Sequence, residues 1–430
     1  MNKTFFFKSS LLLLLFTMFN SWSQNTNNEK LNTDLKLPDL LISNKGQAIK
    51  TTEDWQKIRR PEILKLFEKY VYGKFPKENI KTSFILSKTD SHALKEKAIQ
   101  KNITVYFVKG KDSVAMELLV FIPKNATKPV PLFLGMNFWG NQAIHPTDEI
   151  PMNKSYILKK VEYNIFSNTA TEETRGADYS SWPLERILDR GYGVATFCYG
   201  DIDPDFDDGF KNGVHSLLNE SDKTDSKSIS SISAWAFGLS SAMDYLENDP
   251  QINKNQIAVF GHSRLGKSAL WAGAIDPRFA LVVSNESGCG GAALSRGKAG
   301  ETIKDINTAF PHWFCKNFHK FNDRENELPI DQHMLISLIA PRPVYIGSAE
   351  LDTWADPKGE FLSLYNASPV YKLFGFNTIE KDSLPAINAP LIVGKTAYHI
   401  RTGYHQMSRY DWERYMDFAD TQFIIKKDND

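Results

Sequence analysis

The chain has 430 residues, and its 51 lysines and arginines are matched by 51 aspartates and glutamates. That balance excludes a global field of the kind that recruits nucleic acid or anionic lipid. Three cysteines, Cys198, Cys289 and Cys315, fit no zinc motif, and their odd number leaves one thiol free unless it pairs between chains; one disulfide is allowed.

Residues 1–23 read as a secretory signal. Lys3 and Lys8 give a positive start, Leu11 to Phe16 a short apolar core, and Ser21 to Ser23 small residues for cleavage. The apolar run falls short of the roughly 20 residues that a spanning helix needs. No cysteine follows it to carry a lipid, and no later uninterrupted apolar run is long enough to cross a bilayer. The expected product is an exported, soluble monomer without stable membrane insertion. Hydrophobic content of 42% supports a sizeable core.

Residues 24–75 read as a polar leader followed by a helix over 53–72, entered near Pro61 and ended before Pro76. Its apolar residues Ile63, Leu64, Leu66, Phe67 and Val71 fall at helical spacing. Residues 76–430 read as the main domain. Strands are expected at 82–86, 103–108, 115–121 and 132–134, and the lack of helices between them suggests an antiparallel edge. The rhythm then alternates. A strand at 193–197 precedes a helix at 231–246, a strand at 257–260, a helix at 264–274, and strands at 280–284 and 344–347. Such alternation predicts an α/β fold: a three-layer sandwich with a mainly parallel central sheet. The acidic stretch 203–208 reads as a solvated loop.

The most informative segment is 256–274, where an apolar strand runs into Gly261-His262-Ser263-Arg264-Leu265-Gly266 and then into a helix. This is the context of a nucleophile elbow, although the second glycine of G-x-S-x-G stands one place late. The letters of 261–268 also satisfy the phosphate-loop pattern G-x-x-x-x-G-K-[ST]. That alternative is the weaker one. An exported protein meets little nucleoside triphosphate, the segment lies past the middle of the chain, and no apolar run ending in aspartate follows to hold magnesium.

A serine nucleophile needs a base, and the base needs a carboxylate to orient it. In this architecture both follow the serine, with the histidine last. Among nine histidines, His405 stands in a loop just before an amphipathic helix expected at 409–418, with His399 as the alternative. Two carboxylates follow expected strands, Glu286 after 280–284 and Asp352 after 344–347. Position at the carboxyl ends of strands suits both, and the residues alone slightly favour Asp352.

The joint pattern resembles the glucuronoyl esterases, carbohydrate esterase family fifteen. The residues that carry the resemblance are Gly261-His262-Ser263-Arg264-Leu265-Gly266-Lys267, Glu286-Ser287-Gly288-Cys289-Gly290-Gly291 and Gly300-Glu301-Thr302. Tyr199 to Asp205, Asn137 to Asn141 and Asp352 to Pro357 match as well. The resemblance implies an α/β-hydrolase fold, no metal or organic cofactor, and hydrolysis of esters of 4-O-methyl-glucuronic acid, as in lignin–carbohydrate cross-links of glucuronoxylan. It makes Ser263 the nucleophile, His405 the base and Glu286 the acid, with Asp352 as a second carboxylate. Lys267, Glu301 and Trp354 fall at positions that contact the uronate sugar. Otherwise Lys267 would be a surface ion-pair residue, Glu301 a partner of Arg296, and Trp354 a packing residue. The cysteines flanking the serine and histidine in fungal-type members are His262 and Gln406 here, so the chain resembles the bacterial branch. Arg264 is expected to hold the oxyanion with its backbone N–H and its guanidinium. An esterase for other polysaccharide esters, such as acetylated xylan, is the related alternative.

Overall fold

A computed structural model describes residues 35–423, apart from residue 164 and residues 225–228. The signal segment 1–23 and most of the leader lie outside the described residues.

One ten-stranded sheet runs through the molecule. Its strands are β1 (Lys81–His92), β2 (Ala98–Lys109), β3 (Asp112–Pro123), β4 (Val130–Asn137), β5 (Gly193–Cys198), β6 (Ile252–His262), β7 (Leu281–Asn285), β8 (Val344–Ala349), β9 (Leu391–Val393) and β10 (Thr396–Arg401). Their spatial order is β1-β2-β3-β5-β4-β6-β7-β8-β10-β9. The block from β5 to β10 is parallel, whereas β1, β2 and β3 meander antiparallel at one edge and β9 closes the other antiparallel. Every residue of β4, β5, β7, β8 and β10 is buried, as expected of strands covered on both faces. The edge strand β1 is instead mostly exposed and carries Lys88 and Asp90 beside a register shift, which blunts it against pairing with another chain.

Two apolar layers flank the sheet. On one face pack α1 (Arg60–Tyr70), α2 (Ser231–Leu246), α3 (Arg264–Ile275) and α4 (Pro357–Leu373), through Phe67, Trp235, Trp271 and Phe361. On the other lies α5 (Arg409–Gln422), through Trp412, Tyr415 and Phe418. The alternation along β6 follows, since Val259 joins the first layer while Ala258 and Phe260 join the second. This is the expected three-layer sandwich with a mainly parallel sheet.

The differences have local causes. The first helix starts before Pro61, because Thr51 and Asp54 form a capping box at residues 51–54 and a π-turn over Trp55–Arg59 leads into α1. Strand β10 is hidden in the sequence by His399 and Arg401, whose polar groups are satisfied inside the fold by Asp411. Helix α4 is hidden by Gly359 and by an internal Pro369. The three cysteines are buried and unpaired, so the allowed disulfide is not formed. Among the described residues no helix is long and apolar enough to cross a membrane.

Candidate active site

Strand β6 ends at His262 and α3 begins at Arg264, so Ser263 alone makes the turn. Its backbone is left-handed, φ +56° and ψ −128°, a conformation that costs a non-glycine residue about 1–3 kcal/mol and holds the side chain above the sheet. Both flanking glycines are sterically required. A Cβ at Gly261 would lie 2.1 Å from Leu265 O, and one at Gly266 would lie 2.9 Å from Gly261 O and 3.1 Å from Ser287 Cβ. The late second glycine is thus the place where the first turn of α3 crosses β6. The same geometry removes the phosphate-loop alternative. The chain is already helical at Arg264, and Lys267 turns inward to donate from Nζ to Ser287 O (2.5 Å) and Cys289 O (2.7 Å). No glycine cradle of backbone N–H groups is left for phosphate.

His405 lies in the loop between β10 and α5 and lines one cleft with Ser263, Arg264 and His262. Its Nδ1 donates to Asp352 Oδ2 at 2.6 Å, while the nearer Glu286 oxygen stands at 3.4 Å. Glu286 is otherwise engaged: Oε1 accepts from Arg401 Nη2 (2.6 Å) and Oε2 from the Gln406 N–H (3.0 Å). By distance, Asp352 stands nearer the imidazole than Glu286, which the resemblance ranks first. Asp352 touches the imidazole, and Glu286 anchors the backbone next to it. Their electrostatics differ to match. Burial lifts the Glu286 carboxyl well above the ordinary range despite Arg401. At Asp352 burial is outweighed by the hydrogen bond and charge of His405, and the carboxyl sits below its usual value. The alternative base, His399, is buried within β10 against Asp411 (2.8 Å) and the Tyr345 hydroxyl (3.0 Å), away from the cleft.

Arg264 is not a free cation. Its guanidinium pairs with Asp205 and lies over the Trp313 ring at 4.6 Å from the centroid, with Phe310 and Phe138 at 5.5 and 5.6 Å. Asp205 also accepts from Trp313 Nε1 (2.6 Å) and Tyr199 Oη (3.2 Å) and contacts His312 Nε2 (2.9 Å). Burial would raise this carboxyl, but Arg264 and these donors hold it well below the usual carboxylate range. The acidic stretch is thus only partly a solvated loop: Asp203 and Asp205 are buried, and Asp205 fixes the arginine beside the nucleophile. Asp205 and Arg401 escaped the sequence reading. Only the block Tyr199 to Asp205 pointed at the first, and nothing at the second.

Lys267 is buried on two carbonyls, not in a surface ion pair. Arg296 turns away from Glu301 to Asp331 (3.0 Å), so that structural pair is absent. The Glu301 N–H donates to Trp354 O (2.9 Å), which places these two residues on adjoining segments, and the Trp354 ring is 59% exposed. These residues gather beyond the ends of β7 and β8. On the opposite side of Ser263, beyond β4, lies the cleft of about 360 Å³, walled by Phe138, Trp139, Tyr163, Trp182 and Met407. An ester held at Ser263 would therefore meet a polar wall on one side and an aromatic one on the other.

Comparison with known proteins places this arrangement. A family model described as glucuronyl esterase, fungi, matches residues 191–375. The chain is 47% identical over 386 residues to carbohydrate esterase MZ0003 from an unknown prokaryotic organism, covering 89% of each chain. Among solved structures, it is 45% identical to a promiscuous family 15 carbohydrate esterase from the marine bacterial metagenome, covering 92% of this chain and 99% of that one with a TM-score of 0.85. The glucuronoyl esterase from Solibacter usitatus is 42% identical, with 90% and 98% covered and a TM-score of 0.84. The chain belongs to carbohydrate esterase family 15, the glucuronoyl esterases, and is a carboxylic ester hydrolase of the α/β-hydrolase fold.

Proposed function

We propose that the chain cleaves esters of glucuronic or 4-O-methyl-glucuronic acid through a serine acyl-enzyme, outside the cytoplasm and as a monomer freed of its signal. One observation carries the reading: Ser263, held in a strained turn, shares a cleft with His405, whose Nδ1 is 2.6 Å from Asp352.

Asp352 fixes the tautomer of His405 with Nε2 unprotonated, the form that can take the Ser263 proton. The serine oxygen attacks the C6 carbonyl of the uronate ester. The developing oxyanion is held by the Arg264 N–H, at the amino end of α3, and by its guanidinium. His405 then passes its proton to the departing alcohol. In the second half it activates water, which releases the uronic acid and restores the serine. Lys267, Glu301 and Trp354 suit the sugar, and the aromatic cleft beyond β4 suits the alcohol.

The test is turnover of a glucuronate alkyl ester by the wild type and by Ser263→Ala. The expected result is hydrolysis by the former and none above background by the latter; equal rates would sink the reading. A second reading, action on other polysaccharide esters such as acetylated xylan, is favoured by the likeness to an esterase described as promiscuous. Rates on benzyl glucuronate set against acetyl esters separate the two.

A further inference from the structure

Between Arg401, at the end of β10, and Met407 the chain forms an exposed loop. Arg401 and Met407 are buried, but no residue of 402–406 is. His405, the proposed base, belongs to this loop, and its side chain is 43% exposed. A loop without buried apolar anchors sits at the mobile end of a protein's range. Acid–base chemistry instead needs the imidazole held to within about 0.5 Å. Polar groups must supply the anchor.

One guanidinium does so. Arg401 Nη1 donates to Thr402 O (3.0 Å), and Nη2 donates to Tyr404 O (3.2 Å) and to Gln406 O. Alternate carbonyls of the loop thus converge on it, with His405 between the last two. Asn388 also holds Thr402, and the Leu351 N–H holds Gly403 O, but the carbonyls on either side of His405 turn to Arg401. The guanidinium is itself fixed from outside the loop. Nη2 donates to Glu286 Oε1 (2.6 Å), just past β7, and Nε to Asp411 Oδ2 (2.9 Å), in the first turn of α5. The wrap is close. Gly403 has φ +116°, and a Cβ there would lie 3.0 Å from Arg401 Nη1. Glycine therefore stands where the chain bends around the cation.

We propose that Arg401 is a positioning residue of the esterase: its guanidinium is the core around which the loop 402–406 is wound, and it thereby sets where the His405 imidazole stands beside Asp352. Its shape matters as much as its charge. A lysine would keep a cation between Glu286 and Asp411, but one ammonium cannot replace a planar fork that reaches both carboxylates and three carbonyls. The effect on turnover rests on the proposed role of His405 as base; the placement of the ring does not.

Placement is therefore read without substrate, from the downfield proton resonance of the His405 Nδ1–H bonded to Asp352, assigned by its loss in His405→Ala. In Arg401→Lys, shown to be folded by a thermal melt, that line should broaden or vanish. Its kcat on benzyl glucuronate should fall about tenfold to a hundredfold with KM little changed, since misplacing a reacting group by about 1 Å costs on that scale. Gly403→Ala keeps the arginine but pushes the loop off it, and should show the same two changes. If Arg401→Lys does not fold, Gly403→Ala decides alone. A wild-type line and kcat in either folded variant would overturn the proposal, and so would a fall in kcat with the line unchanged. Loss of the line with kcat intact would uphold the placement and sink instead the reading of His405 as base.

Discussion

Asp352 and Glu286 stand at the ends of neighbouring strands β8 and β7, and their surroundings divide the work between them. Asp352 is bonded to the imidazole, whereas Glu286 holds Arg401 and the Gln406 N–H. Asp352→Asn should therefore lower kcat by about a hundredfold or more, the usual scale of acid–base assistance. Glu286→Gln should cost less in kcat, because the imidazole keeps Asp352, and should lower stability by about 1–3 kcal/mol, because Arg401 keeps Asp411 as a buried partner while its hydrogen bond to Glu286 is weakened. Steady-state rates and thermal melts of the two variants check this. Arg264→Ala removes an expected oxyanion donor and should lower kcat several hundred-fold, corresponding to about 3–4 kcal/mol; a mild effect would refute that role. Asp178, in the wall of the cleft, gives a pH test. Burial raises its carboxyl from 3.8 to about 6, against hydrogen bonds from Ser181 and Trp182. A raised carboxyl weakens the fold as pH climbs through that window, by on the order of 3 kcal/mol once both states are ionised. Asp178→Asn escapes this penalty, so its melting temperature relative to wild type should be higher at pH 8 than at pH 4, measured by calorimetry. The serine, histidine and both carboxylates were legible as residue types after strands. The choice between the carboxylates was not, because it depends on where Arg401 points, and Arg401 lies far along the chain in a strand that its own charge conceals.

The turn between β6 and α3 is the element on which the site depends. Gly261 and Gly266 let the first helical turn lie directly on the strand. Gly261→Ala should destabilise by more than about 3 kcal/mol, beyond ordinary overpacking, because backbone must move. Gly266→Ala should cost less, about 1–3 kcal/mol, since part of the contact is with a side chain. Denaturant melts of both variants decide the order. This element was readable from a strand, a glycine-flanked serine and a helix, and its displaced glycine became intelligible only with the crossing seen. The helix Ser231–Leu246 was equally plain, because Ser230 caps it and apolar residues fill it. Helix α4 was not, since Gly359, Ser363, Asn366 and Pro369 blur its period while tertiary packing supplies its stability.

At the scale of the whole molecule, six parallel strands send their carboxyl ends to one side, and the candidate groups come from the loops that follow them. Asn137 precedes the aromatic wall, Asp205 follows β5, Ser263 follows β6, Glu286 follows β7, Asp352 follows β8 and His405 follows β10. The mainly parallel sheet with an antiparallel meander was legible from the change of rhythm near residue 190, where strands begin to alternate with helices. Its strand order was not, because the exchange of β4 and β5 is a matter of crossovers that periodicity does not record. In the proposed chemistry the hydroxyl of Ser263 and the imidazole of His405 act as one unit. The most direct measurement is the rate of benzyl glucuronate hydrolysis by Ser263→Ala, His405→Ala and the double variant. Groups acting as a unit are non-additive, so both single variants should fall to the same residual rate and the double variant no further. Losses that multiply in the double variant, or a single variant that keeps most of its activity, would contradict it.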